Sequence, residues 1–410
     1  MDKLAVETRA ASPTPWTHLL STIAAFLGKR LIGRPRHGAV TITFPNGKAR
    51  TFGDPSTGVH ARLTLHNFKV LQKTLQRGTV GFAQAYIDGD VEIEDLTALF
   101  RYFLQNRDVL DSGENSWYGR AAQDITYHLS RHNSKEGSKK NISEHYDLGN
   151  DFYAEWLDET MTYSSGIFAE PDGSLEDAQR RKYERLAARA GVQEGDHVLE
   201  IGSGWGGFAV HLAADLGCRV TTVTISKEQH EYVEKLVVEH GLVDRIDARM
   251  QDFRTIEGTY DRIVSVEMME SIPKQLWDPF FRQLRTRVRA GGSIGLQLIV
   301  VADRHWRESD EYPDFARRYI FPGGQVPAPW VLRELASRHR LDWREDEGFG
   351  ASYARTLACW LERFDAAWPR IATMGFDERF RRMWRYYLAY CGAGFASGRT
   401  DVRQIVLDPA

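Results

Sequence analysis

The sequence predicts an α/β chain, a doubly wound Rossmann-like domain with a parallel sheet, preceded by a small α+β domain. Three observations predict it. Beyond Gly195, β-branched and apolar runs alternate with helical stretches, and two of those runs read as strands buried on both faces. One strand ends in the glycine-rich turn "EIGSGWGG", where an open sheet presents its backbone to a ligand. The length of 410 residues exceeds what a single core usually holds, so two domains are expected.

Hydrophobic residues at 42% and charged residues at 27% are ordinary for a soluble globular protein. A net charge of -3 gives no overall attraction to nucleic acid, so none is expected as a partner and local charge must carry that argument. Cys218, Cys359 and Cys391 are scattered without metal spacing, which reads as reduced thiols and no metal site. The apolar run "LLSTIAAFLG" at Leu19 to Gly28 is about half of what a membrane helix needs. It also lacks a basic leader and a clean cleavage site. The expectation is a cytoplasmic protein whose membrane contact is peripheral.

The amino-terminal domain is expected over residues 1–125. A helix follows "SPTP" and ends in the cationic "GKRLIGRPRH". Next, "GAVTITFPNGKARTFGD" alternates apolar and polar residues around Asn46-Gly47, a hairpin signal. Helical periodicity runs through "LHNFKVLQKTLQRG" and again through "EIEDLTALFRYFLQNRDVL". The polar, basic "RHNSKEGSKKN" (Arg131 to Asn141) reads as a connection. The second domain, 126–410, then gives the strand "HVLEIGSGWGG", the helix "FAVHLAADLG", the strand "RVTTVTIS" and the helix "KEQHEYVEKLVVEHG". "YDRIVSVEM" and "GGSIGLQLIVV" complete the set of strands.

The turn spacing Gly202-x-Gly204-x-Gly206-Gly207 is not the dinucleotide fingerprint, and no Walker lysine follows it. With Glu200 at the strand end it matches the turn over which the methionine end of S-adenosylmethionine (SAM) lies. The fold class is therefore that of a class I SAM-dependent methyltransferase, with a tight turn in some other α/β protein as the alternative. The next strand, "TVTISKEQ", carries no acidic residue at its tip, so Thr224 and Gln229 are left to hydrogen-bond a ribose. Ser226 there is also a helix N-cap. "MQDFRTI" puts Asp252 and Phe253 either beside an adenine or in a solvated turn.

Taken together, "NISEHYDLGNDFYAEWLDETMTYSSGIF", "VLEIGSGWGGFA", "VTISKEQ", "YDRIVSVEMMES", "RYIFPGGQVP", "FGASYARTLACWLERF" and "YYLAYCGAGF" resemble the cyclopropane-fatty-acid synthase family. The resemblance runs in order from about Gly81 to Gln404, and residues 1–80 match only loosely. It implies SAM-dependent methylation of the double bonds of unsaturated acyl chains in membrane phospholipids. It further implies that "HYDLGN" and "MTYSS" close over SAM and line an acyl tunnel, with Tyr163 and Ser164 at the cofactor's methionine end. Ordinary packing of a helix onto the sheet is the better reading of Phe152, Tyr153 and Trp156.

Such chemistry needs a dry site. An alkene is a weak nucleophile that must be aligned with the sulfonium methyl. The carbocation left by methyl transfer would be captured by nearby water, so apolar walls, negative charge and π-faces are required. A base must then remove a proton. The resemblance implies a bound bicarbonate as that base. Glu270 and Tyr353 match two of its ligands, and Ile299 matches a position that offers its backbone. Three positions depart: Ser165 replaces a Cys, Gln297 a His, and Ser271 the His that usually follows the Glu. Tyr353 is either a ligand or a core tyrosine, and Gln297 in an apolar strand needs a buried partner. His145 is a spare titratable group, more often structural than catalytic.

With that anion site altered, bicarbonate binding is expected to weaken or shift, leaving Glu270 as a direct base. The expected product is then a methyl-branched, still unsaturated chain. A cyclopropane ring is the close alternative, and a catalytically inactive SAM- and lipid-binding protein is another. Two basic runs give the expected contact with a phospholipid bilayer, each residue contributing on the order of 1 kcal/mol at an anionic surface. They are Lys29, Arg30, Arg34, Arg36 and His37, and then Arg131, Lys135, Lys139 and Lys140. A homodimer is compatible with the sequence.

Overall fold

The structure is a computed structural model that describes residues 35–106, 148–170, 172–311 and 314–410. Two compact units divide between Gln123 and Asp124. His145, Lys29, Arg30, Arg34, Arg131, Lys135, Lys139 and Lys140 lie outside the described residues, as does the predicted first helix.

The first unit holds a four-stranded sheet of β1 (Ala39–Thr43), β2 (Ala49–Gly53), β3 (His60–Leu65) and β4 (Val91–Ile93), in the order β2-β1-β3-β4. β1 and β2 form the predicted hairpin. Gly47 takes the left-handed backbone (φ 78) that its turn demands, and its N–H donates to the Phe44 carbonyl at 2.8 Å. Helix α1 (Lys69–Ile87) outruns its predicted end because it bends at Gly78 and continues through "GFAQAYI". The start of the second predicted helix is instead strand β4. Helix α2 (Leu96–Gln105) begins only after Asp95, whose carboxylate accepts from the Ala98 N–H, a side-chain cap that fixes the start.

The second unit is a seven-stranded sheet of β5 (His197–Ile201), β6 (Arg219–Thr224), β7 (Ile246–Met250), β8 (Tyr260–Val266), β9 (Val288–Val301), β10 (Leu341–Gly348) and β11 (Thr400–Pro409). Their order is β10-β11-β9-β8-β5-β6-β7. The five strands from β7 to β9 are parallel. The expectation of a parallel sheet fails at one edge, where β11 inserts antiparallel between β9 and β10. The reason lies in the connection: helices α11 (Gly350–Thr373) and α12 (Glu378–Ala396) form a hairpin that returns the chain beside β9 in the opposite sense.

Side chains of successive strand residues go to opposite faces, and both faces are covered. Leu199 and Ile263 join one buried cluster with Phe281, Leu296 and Leu335. Their neighbours Val198 and Val264 join the other, with Leu186 and Phe208. Helix α4 (Leu175–Arg189) supplies that second face; its N-cap Ser174 accepts from the Asp177 N–H, and Glu176 and Asp177 suit its positive end. The aromatic segment before it packs as structure. Phe152 and Tyr153 of helix α3 (Asn150–Ala154) and Trp156 are buried, with Trp156 5.8 Å from Trp360 and Phe152 5.0 Å from Trp384 between ring centroids. Among the described residues, no helix is long and apolar enough to cross a membrane.

Candidate active site

A cleft opens beyond the carboxyl ends of β5, β6 and β8, with a volume of about 140 Å³. This is where an open α/β sheet binds ligands. The turn after β5 forms its floor. Gly202 (φ 96) and Gly204 (φ 50) both take left-handed backbone, which a β-branched residue adopts only with strain. A Cβ on Gly202 would stand 3.0 Å from Met268, whereas one on Gly204 would meet nothing within 4 Å. Gly206 (φ 89) caps the following helical turn.

Around the cleft, the predicted cofactor residues come together, except Gly206, which does not line it. Glu200, Gly202, Gly204, Thr224, Gln229, Asp252, Phe253, Tyr163 and Ser164 all line it. Glu200 is 2% exposed and accepts from the Thr222 hydroxyl at 2.6 Å; burial pushes its carboxyl up to about 8. Thr224 and Gln229, expected to face a ribose, bond each other: the Thr224 hydroxyl donates to Gln229 Oε1 at 2.9 Å. Ser226 caps the next helix by accepting from the Gln229 N–H. The Asp252 carboxylate is held by Arg254 Nε at 2.8 Å. Tyr163 donates its hydroxyl proton to the Tyr387 oxygen at 3.0 Å.

Behind Ser164 stands a residue that sequence reasoning missed. Lys182 is fully buried, donating to Ser164 Oγ at 2.7 Å and to Gln179 Oε1 at 2.8 Å. Its ammonium lies 4.4 Å from the Tyr183 ring centroid. Burial pushes this lysine down to about 7, against the pull of Glu267, Asp158 and Glu200. The available signal was spacing: Leu175, Gln179, Lys182 and Leu186 fall on one helix face, the buried one.

The catalytic candidates meet at the end of β8, but around a different carboxylate from the one expected. Glu267, not Glu270, collects the donors. It accepts from the Ser165 N–H and from Gln297 Nε2, each at 2.9 Å on Oε1, and from the Tyr353 hydroxyl at 2.7 Å on Oε2. It also lines the cleft and holds a left-handed backbone (φ 48). Ser165 therefore serves through its backbone, since its hydroxyl donates to the Gly166 carbonyl. Tyr353 and Gln297 are neither free ligands nor idle core residues; both are bonded to this carboxylate.

Glu270 turns away from that set. Its Oε1 accepts from the Ile299 N–H, and its buried Oε2 has no partner. Ser271 donates its hydroxyl proton to the Met268 carbonyl. Burial, and then the Glu267 charge, push the Glu270 carboxyl up to about 8. Burial raises Glu267 too, opposed by Gln297, Tyr353, the Ser165 N–H and the Lys182 charge. Two neighbouring carboxyls in a dry site do not both ionise. The one with three donors and a nearby ammonium holds the charge, and Glu270 holds the proton.

That assignment has a consequence for stability. Glu270 is neutral in the folded chain up to about pH 8 but ionises near its ordinary value once unfolded. Its contribution is full below the unfolded value and declines by roughly 1.4 kcal/mol per pH unit until the folded value is passed. Glu270→Gln, which cannot ionise, should therefore gain melting temperature over the wild type as pH rises from 5 to 8, and no further above that. A difference that stays flat across this range would contradict a buried, protonated Glu270.

Comparison with known proteins agrees with this geometry. The mycolic acid cyclopropane synthetase family model matches residues 133–405. The chain belongs to this family. Tuberculostearic acid methyltransferase UfaA1 of Mycobacterium tuberculosis is 35% identical over 398 residues, spanning 95% of this chain and 92% of that protein. Cyclopropane-fatty-acyl-phospholipid synthase of Escherichia coli is 32% identical over 349 residues, 84% of this chain and 87% of that one. Among solved structures, mycolic acid cyclopropane synthase CmaA1 with SAH and CTAB superimposes with a TM-score of 0.61 at 28% identity, covering 66% of this chain and 97% of that one. The chain is thus a class I SAM-dependent methyltransferase of fatty-acyl lipids. The residues present fit the cofactor: left-handed glycines leave Gly204 open to the cleft, and Tyr163, Ser164, Gln229, Asp252 and Phe253 ring it.

Proposed function

We propose that this enzyme methylates the double bond of unsaturated acyl chains in membrane phospholipids and releases a methyl-branched, still unsaturated chain, with Glu267 as the base. The observation that carries this reading is the Glu267 carboxylate, held at the cleft by three donors. The donors of the resemblance's bicarbonate site already serve the chain's own carboxylates: Ile299 serves Glu270, and Tyr353 serves Glu267. A further anion beside Glu267 would meet repulsion, so bicarbonate does not fit and no step uses it.

SAM supplies an electrophilic methyl group on a sulfonium. The chain's residues do the rest. Tyr163, Trp360 and Tyr353 form an aromatic wall beside Glu267, with ring centroids 5.2 Å and 6.1 Å apart along it. Such a wall excludes water and offers π-faces to a cation. When one alkene carbon gains the methyl group, its neighbour is left positive. Glu267 takes a proton from the chain carbon next to that cation, and the C–H electron pair becomes the new double bond. The neutral Glu267 carboxyl then returns its proton to solvent. Because its backbone and its three donors fix where this base sits, it selects one proton, and reach decides the product.

If the proton came from the transferred methyl group, the same electron pair would close a cyclopropane ring, a reading favoured by the likeness to the Escherichia coli synthase. The two products have equal mass. The test is to express the chain in a host with monounsaturated lipids and no synthase of its own, then record proton NMR of the extracted lipid. New vinylic-methyl or olefinic signals are expected. Upfield cyclopropane signals without them would replace this product with the ring. The phospholipid surface itself, on the inner face of the membrane, is the proposed partner, supported by the two basic runs of the sequence.

A further inference from the structure

Gln297 and Gln404 are buried in the sheet, 1% and 0% exposed, at a place where apolar side chains would cover the strands at no polar cost. They are direct cross-strand partners on β9 and β11, and Glu347 of the edge strand β10 is the next residue in the same row. Hydrogen bonds run along this row in one direction. Arg185 Nε of helix α4 donates to Gln404 Oε1 at 2.9 Å. Gln404 Nε2 donates to Gln297 Oε1 at 3.0 Å, and Gln297 Nε2 donates to Glu267. Each amide spends its second N–H on a backbone carbonyl, Gln404 on Lys182 and Gln297 on Ser165.

We infer that Arg185 and Gln404 are positioning residues for Glu267, forming with Gln297 a head-to-tail relay that keeps an N–H aimed at the base. The inference rests on the reading of Glu267 as the base. The logic is chemical. A guanidinium only donates and a carboxylate only accepts, so two amides between them have a single satisfied order. Reversing either one would set oxygen against oxygen at one end and N–H against N–H at the other. Arg185 is itself anchored to Glu347 by Nη1 at 3.0 Å, with its side chain 23% exposed. A row that starts at the sheet edge therefore fixes the donor geometry of a carboxylate three residues away.

Loss of an aimed donor disfavours the ionised carboxylate. Other charges facing Glu267 are Lys182 of α4 and Glu270 beyond β8, with the Tyr353 hydroxyl of α11; Arg189 and Glu347 face Arg185. Substitution at 404 alters none of these, and substitution at 185 removes one partner of Glu347, which keeps Arg189. Because turnover needs the ionised form, weakening the relay moves the acid limb of the kcat profile to higher pH.

The experiment compares wild type, Arg185→Met, Arg185→Lys, Gln404→Leu and Glu267→Gln in the full chain, on vesicles of monounsaturated phospholipid. Arg185→Met is expected to lower kcat about tenfold and raise the acid limb, with SAM affinity within twofold of wild type. Arg185→Lys, still donor-only, should recover most of the loss, and Gln404→Leu should cost more than Arg185→Met. If Gln404→Leu does not fold, Arg185→Met at the partly exposed end of the row still decides. Wild-type kcat and an unmoved acid limb in Arg185→Met, beside an inactive Glu267→Gln, would overturn the relay alone. Wild-type turnover in Glu267→Gln would overturn the reading of the base and the relay with it.

Discussion

Glu267→Gln should cut turnover by about 10²- to 10⁴-fold, the range for removing a positioned general base, while SAM binds almost as before. Glutamine keeps the size of the side chain but cannot accept a proton. It also turns an N–H toward donors, the Ser165 N–H and Gln297 Nε2 or the Tyr353 hydroxyl, that now face an acceptor. Some stability is lost as well. Calorimetric SAM titration separates binding from chemistry, and single-turnover assays on vesicles measure the chemical step. In the wild type the rate should rise with pH as Glu267 ionises, through a limb lying above the ordinary carboxylate range because burial raises this group. Turnover by Glu267→Gln at the wild-type rate would mean another group takes the proton.

Gly204→Val should weaken SAM binding by 100-fold or more. The backbone there is left-handed, at φ 50, which costs an L-residue roughly 1–2 kcal/mol. Nothing in the protein blocks the added side chain, so it would project into the space where backbone and cofactor approach. A 100-fold loss is about 2.7 kcal/mol, more than the strain alone. The fold should persist, because Gly204 supports no packed cluster. Titration calorimetry reads the affinity and circular dichroism the fold. Unchanged affinity would place the cofactor away from this turn.

The sheet of the second unit was legible because strands buried on both faces carry consecutive apolar residues, as Val198 with Leu199 and Ile263 with Val264 do. The glycine turn was legible because glycine takes its left-handed backbone without strain. The antiparallel edge was not. Nothing in the composition of β11 reports its direction, which the helical hairpin before it decides. That Glu267 rather than Glu270 gathers the donors was not legible, for a local reason. Glu267 and Glu270 lie three residues apart, just past the end of β8, where alternation stops. The left-handed turn at Glu267 reorients the chain there, so no strand or helix period says which acid faces the cleft. Lys182 was legible only as a charge on a buried helical face, a pattern that its bonds to Ser164 and Gln179 explain.

The left-handed backbone of Glu267 sets activity against robustness. A non-glycine residue there holds about 1–3 kcal/mol of strain, and its desolvated carboxylate adds a further penalty. Glycine at 267 would relieve both, but it would leave the Ser165 N–H, Gln297 Nε2 and the Tyr353 hydroxyl without their acceptor. A selection for thermal stability alone would thus weigh strain against three hydrogen bonds and take no account of the proposed base. Screens that rank variants of this enzyme by melting temperature would therefore not report on its chemistry, and a readout of modified lipid would.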